Sequence, residues 1–286
     1  MAYLNKAESE SRIARVKEIM KSKDLDVVLV YYDEFNIGNG WYLTGWCPQF
    51  ESGAVLIPRS GNPLILGGPE SEPFAKLDSM ITETRNFPVF MVPDEEYPNA
   101  TIIDFPQLFT ELNAEFGNVK KVGLVGAERM PAGGYMQIVE GFKGVDLVDV
   151  TSDYVQLRYI KSPWERLQIE AAFKLADYAY DAMKNKITSG VSEIEVAAVG
   201  EFEVRSRGAS GFGFTTIVGS GKRSNAVVPT ASSKILQDGE LVMLGIAPKV
   251  NGYAGVVGDV IPVSGEYSTS QLDCIRYLKD AFRLTR

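Results

Sequence analysis

The sequence predicts an α/β protein made of two domains in tandem. Three observations carry that reading. The chain has 286 residues, 45% of them hydrophobic, which suits two packed cores better than one. Its N-terminal half alternates strand-like apolar runs with helix-like periodic ones, the pattern of a layered α/β domain. After residue 160 two capped helices follow each other, and the character then switches to β.

Taken in order, residues 7–23 form a helix with Ile13, Val16, Ile19 and Met20 on one face, ended by Asp24. "DVVLVYY" (26–32) is a buried-type strand, and "GNGWYLTGW" (38–46) reads as a Gly- and aromatic-rich turn region. "GAVLIPRSGNPLILGG" (53–68) is a hairpin turning at Ser60, Gly61 and Asn62. Short helices are expected over residues 70–77 and 105–112, a strand over 120–126, and a helix from Pro131 to Gly141. The domain boundary is expected near 155–162, giving domains 1–157 and 158–286.

The long helix over 157–187 opens with a capping box and a first-turn proline: Ser162, Pro163 and Glu165. Leu167, Ala171, Leu175 and Ala179 are expected to form its buried stripe. A second helix has Ser192 as cap and Glu195 three residues on, and stops at Gly208. "FGFTTIVGSG" (212–221) reads as one strand, "GELVMLGIAPKVNGY" (239–253) as a hairpin continued by "VVGDVIPV" (256–263). A last helix follows, with Ser268 or Thr269 as cap and Gln271 in its first turn.

Composition excludes several classes. The formal charge is −8 and no basic stripe is present, so neither nucleic acid nor an anionic membrane surface is an expected partner. The N-terminal stretch is charged throughout and lacks the apolar core of a signal peptide, so none is expected, and no apolar run reaches the roughly 20 residues of a membrane span. Cys47 and Cys274 are the only cysteines; both are expected as small buried hydrophobes, and a cytoplasmic location fits. The chain has no histidine, which removes Ser-His-Asp and Cys-His mechanisms and the commonest zinc ligand.

Four stretches in order, "WYLTGW…SGAVLIPRSGNPLILGG", "RYIKSPWERLQIEAA", "GVSEIEVAA…RGASGFGFTTIVGSG" and "LQDGELVMLGIAPKVNGYAGVVGDVIPVSGEYSTSQ", resemble the creatinase/Xaa-Pro aminopeptidase family, the pita-bread metallopeptidases. The resemblance covers nearly all the chain. It implies a creatinase-like N-terminal α/β domain used in dimer contacts, followed by part of a pita-bread α+β domain that cleaves bonds next to proline. It also implies two metal ions held by two Asp, one His and two Glu.

The residues depart from that pattern at the site. Gly245 occupies the first Asp position, Val256 the second, and Asp259 the position of an Arg. Val228 stands where the family has a catalytic His, on an alignment without gaps from Ile217 to Val263. Two close divalent ions need several carboxylates, so no metal and no cofactor is expected. Creatinase resembles a metal-free branch of the fold, but its route needs the histidine that is Val228 here. The remaining His and Glu ligands belong to a second half of the domain that no segment here matches. The chain is therefore expected to continue past Arg286, to be completed by a partner, or to be a shortened relative.

Phe214, Lys222, Arg223, Tyr253 and Asp259 remain as candidates for binding a ligand, with Ser224, Asn225 and Thr230 beside them. "GKRSNAVVPT" offers Lys222 and Arg223 to a carboxylate or phosphate, or is simply a solvated loop. The aromatics in "YYDEFNIGNGWYLTGW" belong to recognition or to packing. The expected function is a pseudo-peptidase: a homodimeric protein that binds a small molecule or peptide without catalysis. The alternative is a metal-free hydrolase of the Xaa-Pro or creatinase type, acting on a small peptide or amidine-like substrate, with its missing residues outside this chain.

Overall fold

Two compact units divide the computed structural model, Met1–Ser162 and Pro163–Arg286, and residues 4–285 are described. Residues 1–3 of the charged N-terminal stretch, and Arg286, lie outside the described residues.

The first unit carries α1 (Lys6–Lys23), β1 (Val27–Tyr32), α2 (Gly38–Thr44), β2 (Gly53–Pro58), β3 (Leu64–Gly67), α3 (Glu72–Asp78), β4 (Thr84–Asn86), α4 (Phe105–Phe116), β5 (Lys121–Val125), α5 (Ala132–Gly141), β6 (Asp146–Asp149) and α6 (Thr151–Gln156). Its six strands form one mixed sheet in the order β4-β3-β2-β1-β5-β6. β1 runs antiparallel to β2 and parallel to β5. All six residues of β1 are buried, as a continuous apolar run with both faces covered requires. Leu29, Leu56 and Leu66 pack on one face with Phe105, Leu108 and Ile138 from α4 and α5. Val28, Val55 and Ile65 pack on the other with Val16 and Met20 from α1, and with Tyr42, Ala75 and Tyr154 from α2, α3 and α6.

Local chemistry sets the ends of these elements. Asp24 takes the left-handed conformation (φ 54°) and its amide closes α1 on the Met20 and Lys21 carbonyls. The region read as a turn at 38–46 is instead α2. A helix forms there despite two glycines because the backbone at Gly40 lies flat on the Tyr32 ring: a Cβ would sit 2.2 Å from that ring's Cγ. β4, β6 and α6 carry no strong sequence signal and were not expected; β6 is two apolar residues between two aspartates.

The second unit carries α7 (Pro163–Lys186), α8 (Glu193–Ser206), β7 (Gly211–Phe212), β8 (Ile217–Ser220), β9 (Leu241–Ile246), β10 (Pro248–Val250), β11 (Tyr253–Ala254), β12 (Val257–Pro262) and α9 (Thr269–Leu284). Ser192 and Ser268 each cap a helix through a reciprocal box with Glu195 and Gln271. The buried face of α7 is Gln168, Ala172, Leu175, Ala176, Ala179 and Met183, whereas Leu167 is 61% exposed. A strict fourth-residue stripe drifts around a helix of 3.6 residues per turn, so the expected stripe keeps Leu175 and Ala179 and loses its first member.

The β region also divides differently from the expected pattern. Gly213 N donates to Ala247 O, and the chain changes sheet at that level on both passes. The single strand read over 212–221 is therefore two, β7 and β8. The hairpin read over 239–253 splits into β9 and β10, which belong to separate sheets ordered β12-β9-β8 and β11-β10-β7. The tight turn at Asn251 and Gly252, both at positive φ, joins β10 to β11. Both cysteines are free thiols; Cys274 is exposed, not buried.

Candidate functional site

In the β12-β9-β8 sheet, Gly245 pairs with Gly258 of β12 and with Ile217 of β8. Directly opposed residues share a face. Val242, Leu244 and Ile246 pack with Val218, Val257 and Ile261 against Ala172, Ala179, Val196 and their neighbours on α7 and α8. The alternate set, Ile217, Gly219, Met243, Gly245, Gly258 and Val260, turns to the other face. The nearest atoms to a Cβ built on Gly245 belong to Ile217 and the Val257 carbonyl, at 3.6–3.8 Å, ordinary contact distances, so a methyl group has room there. Val256, just before β12, is 49% exposed. Val228, in the loop after β8, is 69% exposed. The sheet ends at β12, where Gly258, Val260, Tyr267, Leu272, Leu278 and Phe282 line an open trough of about 920 Å³ between the strand and α9. α9 buries none of its residues.

The other expected site residues are distributed, not gathered. Lys222 is exposed and Phe214 is 37% exposed. Arg223 is engaged: its Nε donates to Glu193 Oε2 at 2.9 Å and its Nη2 to the Thr230 carbonyl at 2.5 Å. Tyr253 OH donates to Glu165 Oε1 at 2.8 Å, and its ring meets Trp164 edge-on. Together with the bond from Asn251 Nδ2 to Gln168 Oε1 at 2.8 Å, this fastens the β10–β11 turn to the first turns of α7. Asp259 opposes Leu244 and so points toward α7, where Tyr180 OH donates to it at 2.7 Å. That hydrogen bond is the main reason the Tyr180 phenol is pushed up to about 12.

The sequence reading missed Glu193. This carboxylate is fully buried at the start of α8 and accepts from Ser220 N and Oγ, Ser232 N and Oγ, and Arg223 Nε at 2.7–3.1 Å. Burial raises its pKa, and the hydrogen bonds outweigh burial and hold it below the usual carboxylate range. One signal was available. Glu195 completes the capping box, so a second glutamate two residues earlier had no role in the cap.

The comparisons with known proteins agree with this architecture. The Creatinase/Prolidase N-terminal domain model matches residues 12–160, and the Metallopeptidase family M24 model matches residues 168–285. The chain belongs to the M24 creatinase/prolidase family. An Xaa-Pro dipeptidase of Pyrococcus horikoshii is 30% identical over 244 residues, covering 85% of this chain and 61% of that protein. An uncharacterized peptidase of Bacillus subtilis is 34% identical over 145 residues, 51% of this chain and 41% of its own length. The chain thus spans less than two thirds of these relatives. Among solved structures, the X-Pro aminopeptidase of Thermotoga maritima superposes with a TM-score of 0.75 at 22% identity, covering 90% of this chain and 66% of that one. The prolidase of Pyrococcus horikoshii gives 0.74 at 24% identity, covering 92% and 67%. At those identities the likeness is one of fold.

Membership makes the metal question specific. At the positions where the resemblance implies metal ligands, Gly245 and Val256 offer no side-chain donor atom. Among the described residues no three His, Cys, Asp or Glu side chains come close enough together to hold a metal ion. Two divalent ions need several carboxylates to offset their charge, and this donor set does not fit them. Among the described residues no helix is long and apolar enough to cross a membrane.

Proposed function

We propose that this M24 relative of Xaa-Pro dipeptidases and aminopeptidases is a pseudo-peptidase that binds a small molecule or peptide and acts as a homodimer. The observation that carries the reading is the wall formed by β9 and β12. Gly245 has space for a side chain and none is there, and Val256 offers only an apolar one. Loss of both carboxylates together with the metal they would serve is self-consistent, because either lost alone would leave charge uncompensated. The dimer is supported by the apolar face of α9, where Leu272, Leu278 and Phe282 are 39–71% exposed beside the edge strand β12.

Incubation of the native protein with Xaa-Pro dipeptides and manganese or cobalt tests the proposal. The expected result is saturable peptide binding by calorimetry with no release of proline, and a dimer by light scattering. Turnover abolished by chelators would overturn it. Turnover that chelators leave untouched would establish a metal-free hydrolase instead.

A further inference from the structure

The first unit contains a pocket that the metallopeptidase likeness does not explain. It encloses about 300 Å³ and is walled by Trp41 and Trp46 from α2 and the residues after it, by Phe50, and by Phe74 of α3. Glu70 and Asp78 complete the wall, and no lysine or arginine lines it. Asp78 pairs with no cation among the described residues. Four aromatic side chains and two carboxylates around a cavity of this size are complementary to positive charge spread over an apolar surface.

Two further features show that the site is built and not a chance cleft. Phe50 has φ 63°, a conformation that bulky side chains rarely adopt, and its ring is 79% exposed at the pocket rim. Its amide donates to the Glu34 carboxylate, which holds the backbone in that state. A strained backbone that presents an aromatic ring to solvent gains nothing from packing, so the gain belongs to whatever meets the ring. Behind the wall, Glu51 is 3% exposed and accepts from Ser71 N at 2.9 Å and Glu70 N at 3.3 Å, fixing the turn that carries Glu70. Gly68 is required for this: a Cβ there would lie 1.8 Å from Glu51 Oε1.

We infer that this pocket binds a compact alkylated ammonium group, held over the faces of Trp46, Phe50 and Phe74 and neutralised by Glu70 and Asp78. A methylated ammonium suits it better than a bare one, since its weak hydration lets it leave water for the aromatic faces. An anion would meet two carboxylates, and a neutral apolar ligand would leave them unused. The inference stands on the first unit alone and is independent of the metal question.

Choline and its neutral isostere 3,3-dimethylbutan-1-ol separate these alternatives in a calorimetric or tryptophan-fluorescence titration at constant ionic strength. Choline is expected to saturate in the millimolar range and to bind at least about tenfold more tightly than the alcohol, since desolvated cation–π contacts and two carboxylates act only on the charged ligand. Phe50→Leu keeps an apolar side chain but loses the ring, and Asp78→Asn loses the charge. Both positions are exposed, so both variants should keep the wild-type melting midpoint while weakening choline at least about threefold. Equal affinity for choline and the alcohol would overturn the inference, as would absence of saturation or choline affinity unchanged in both variants.

Discussion

The two units treat their sheets differently. The first covers both faces of the central strands of its six-stranded sheet, and β1 has no exposed residue. The second packs one face of β12-β9-β8 against α7 and α8; on the opposite face Gly219 and Gly245 are buried, while Gly258 and Val260 at the β12 edge border a trough open to solvent. A sealed face is constrained by volume, so its residues can be read from packing alone. An open face is free of that constraint, and its residues report what it binds or has ceased to bind.

This contrast can be broken by substitution. The strongest test lies where the backbone of the second unit is tightest. A Cβ at Gly255 would lie 2.2 Å from the Phe173 amide nitrogen and 2.4 Å from the Ala172 carbonyl carbon, both in the backbone of α7. Gly255→Ala should therefore cost about 3 kcal/mol or more in chemical denaturation. Next comes Glu193→Ala. It strips the partners from Ser220, Ser232 and Arg223, and a loss of about 2–3 kcal/mol is expected, moderated because Arg223 is 39% exposed.

In the first unit, Glu72 shows the effect of acid. Burial raises its pKa, but bonds from Lys76, Thr84 and Asn86 at 2.6–2.9 Å outweigh burial and bring it down to about 2. A folded pKa below the unfolded one gives stability that is present above the unfolded value and lost as pH falls through the folded one. Between about pH 5 and pH 2 the protein should lose on the order of 1–3 kcal/mol from this group, and Glu72→Gln should flatten that part of the profile. The smallest effect is expected at Gly245, on the face turned away from α7 and α8. Gly245→Ala meets only ordinary contacts at 3.6–3.8 Å and should be neutral or stabilise by about 0.5 kcal/mol. A loss comparable to that at Gly255 would mean that Gly245 has no room for a side chain.

The same contrast explains what was legible. β1, β2 and β3 could be read because sealed strands are continuous apolar runs bounded by turn residues. The capping boxes at Ser192 and Ser268 were legible because a helix start is written within four residues. α2 was not, because Gly40 is set by contact with the Tyr32 ring, and tertiary contact overrode propensity. Arg12 reads as a surface residue of α1, yet it is 2% exposed, with Nη1 donating to the Tyr42 carbonyl at 2.6 Å. Glu193 was hidden for the same reason, since its serine partners lie 27 and 39 residues away. At the candidate site, Gly245 and Val256 were singled out by the family resemblance and not by their own chemistry, since neither side chain is polar. The opposition of Gly245 to Gly258, and the turning of Asp259 toward Tyr180, needed the register.

The central claim is that the β9–β12 wall no longer supports a pair of metal ions. Native mass spectrometry of the protein, purified without chelators and exchanged into excess manganese, counts bound ions directly. The account predicts no stoichiometric manganese, and no gain in melting temperature beyond that given by equal ionic strength of magnesium. Two tightly held ions per chain would contradict it.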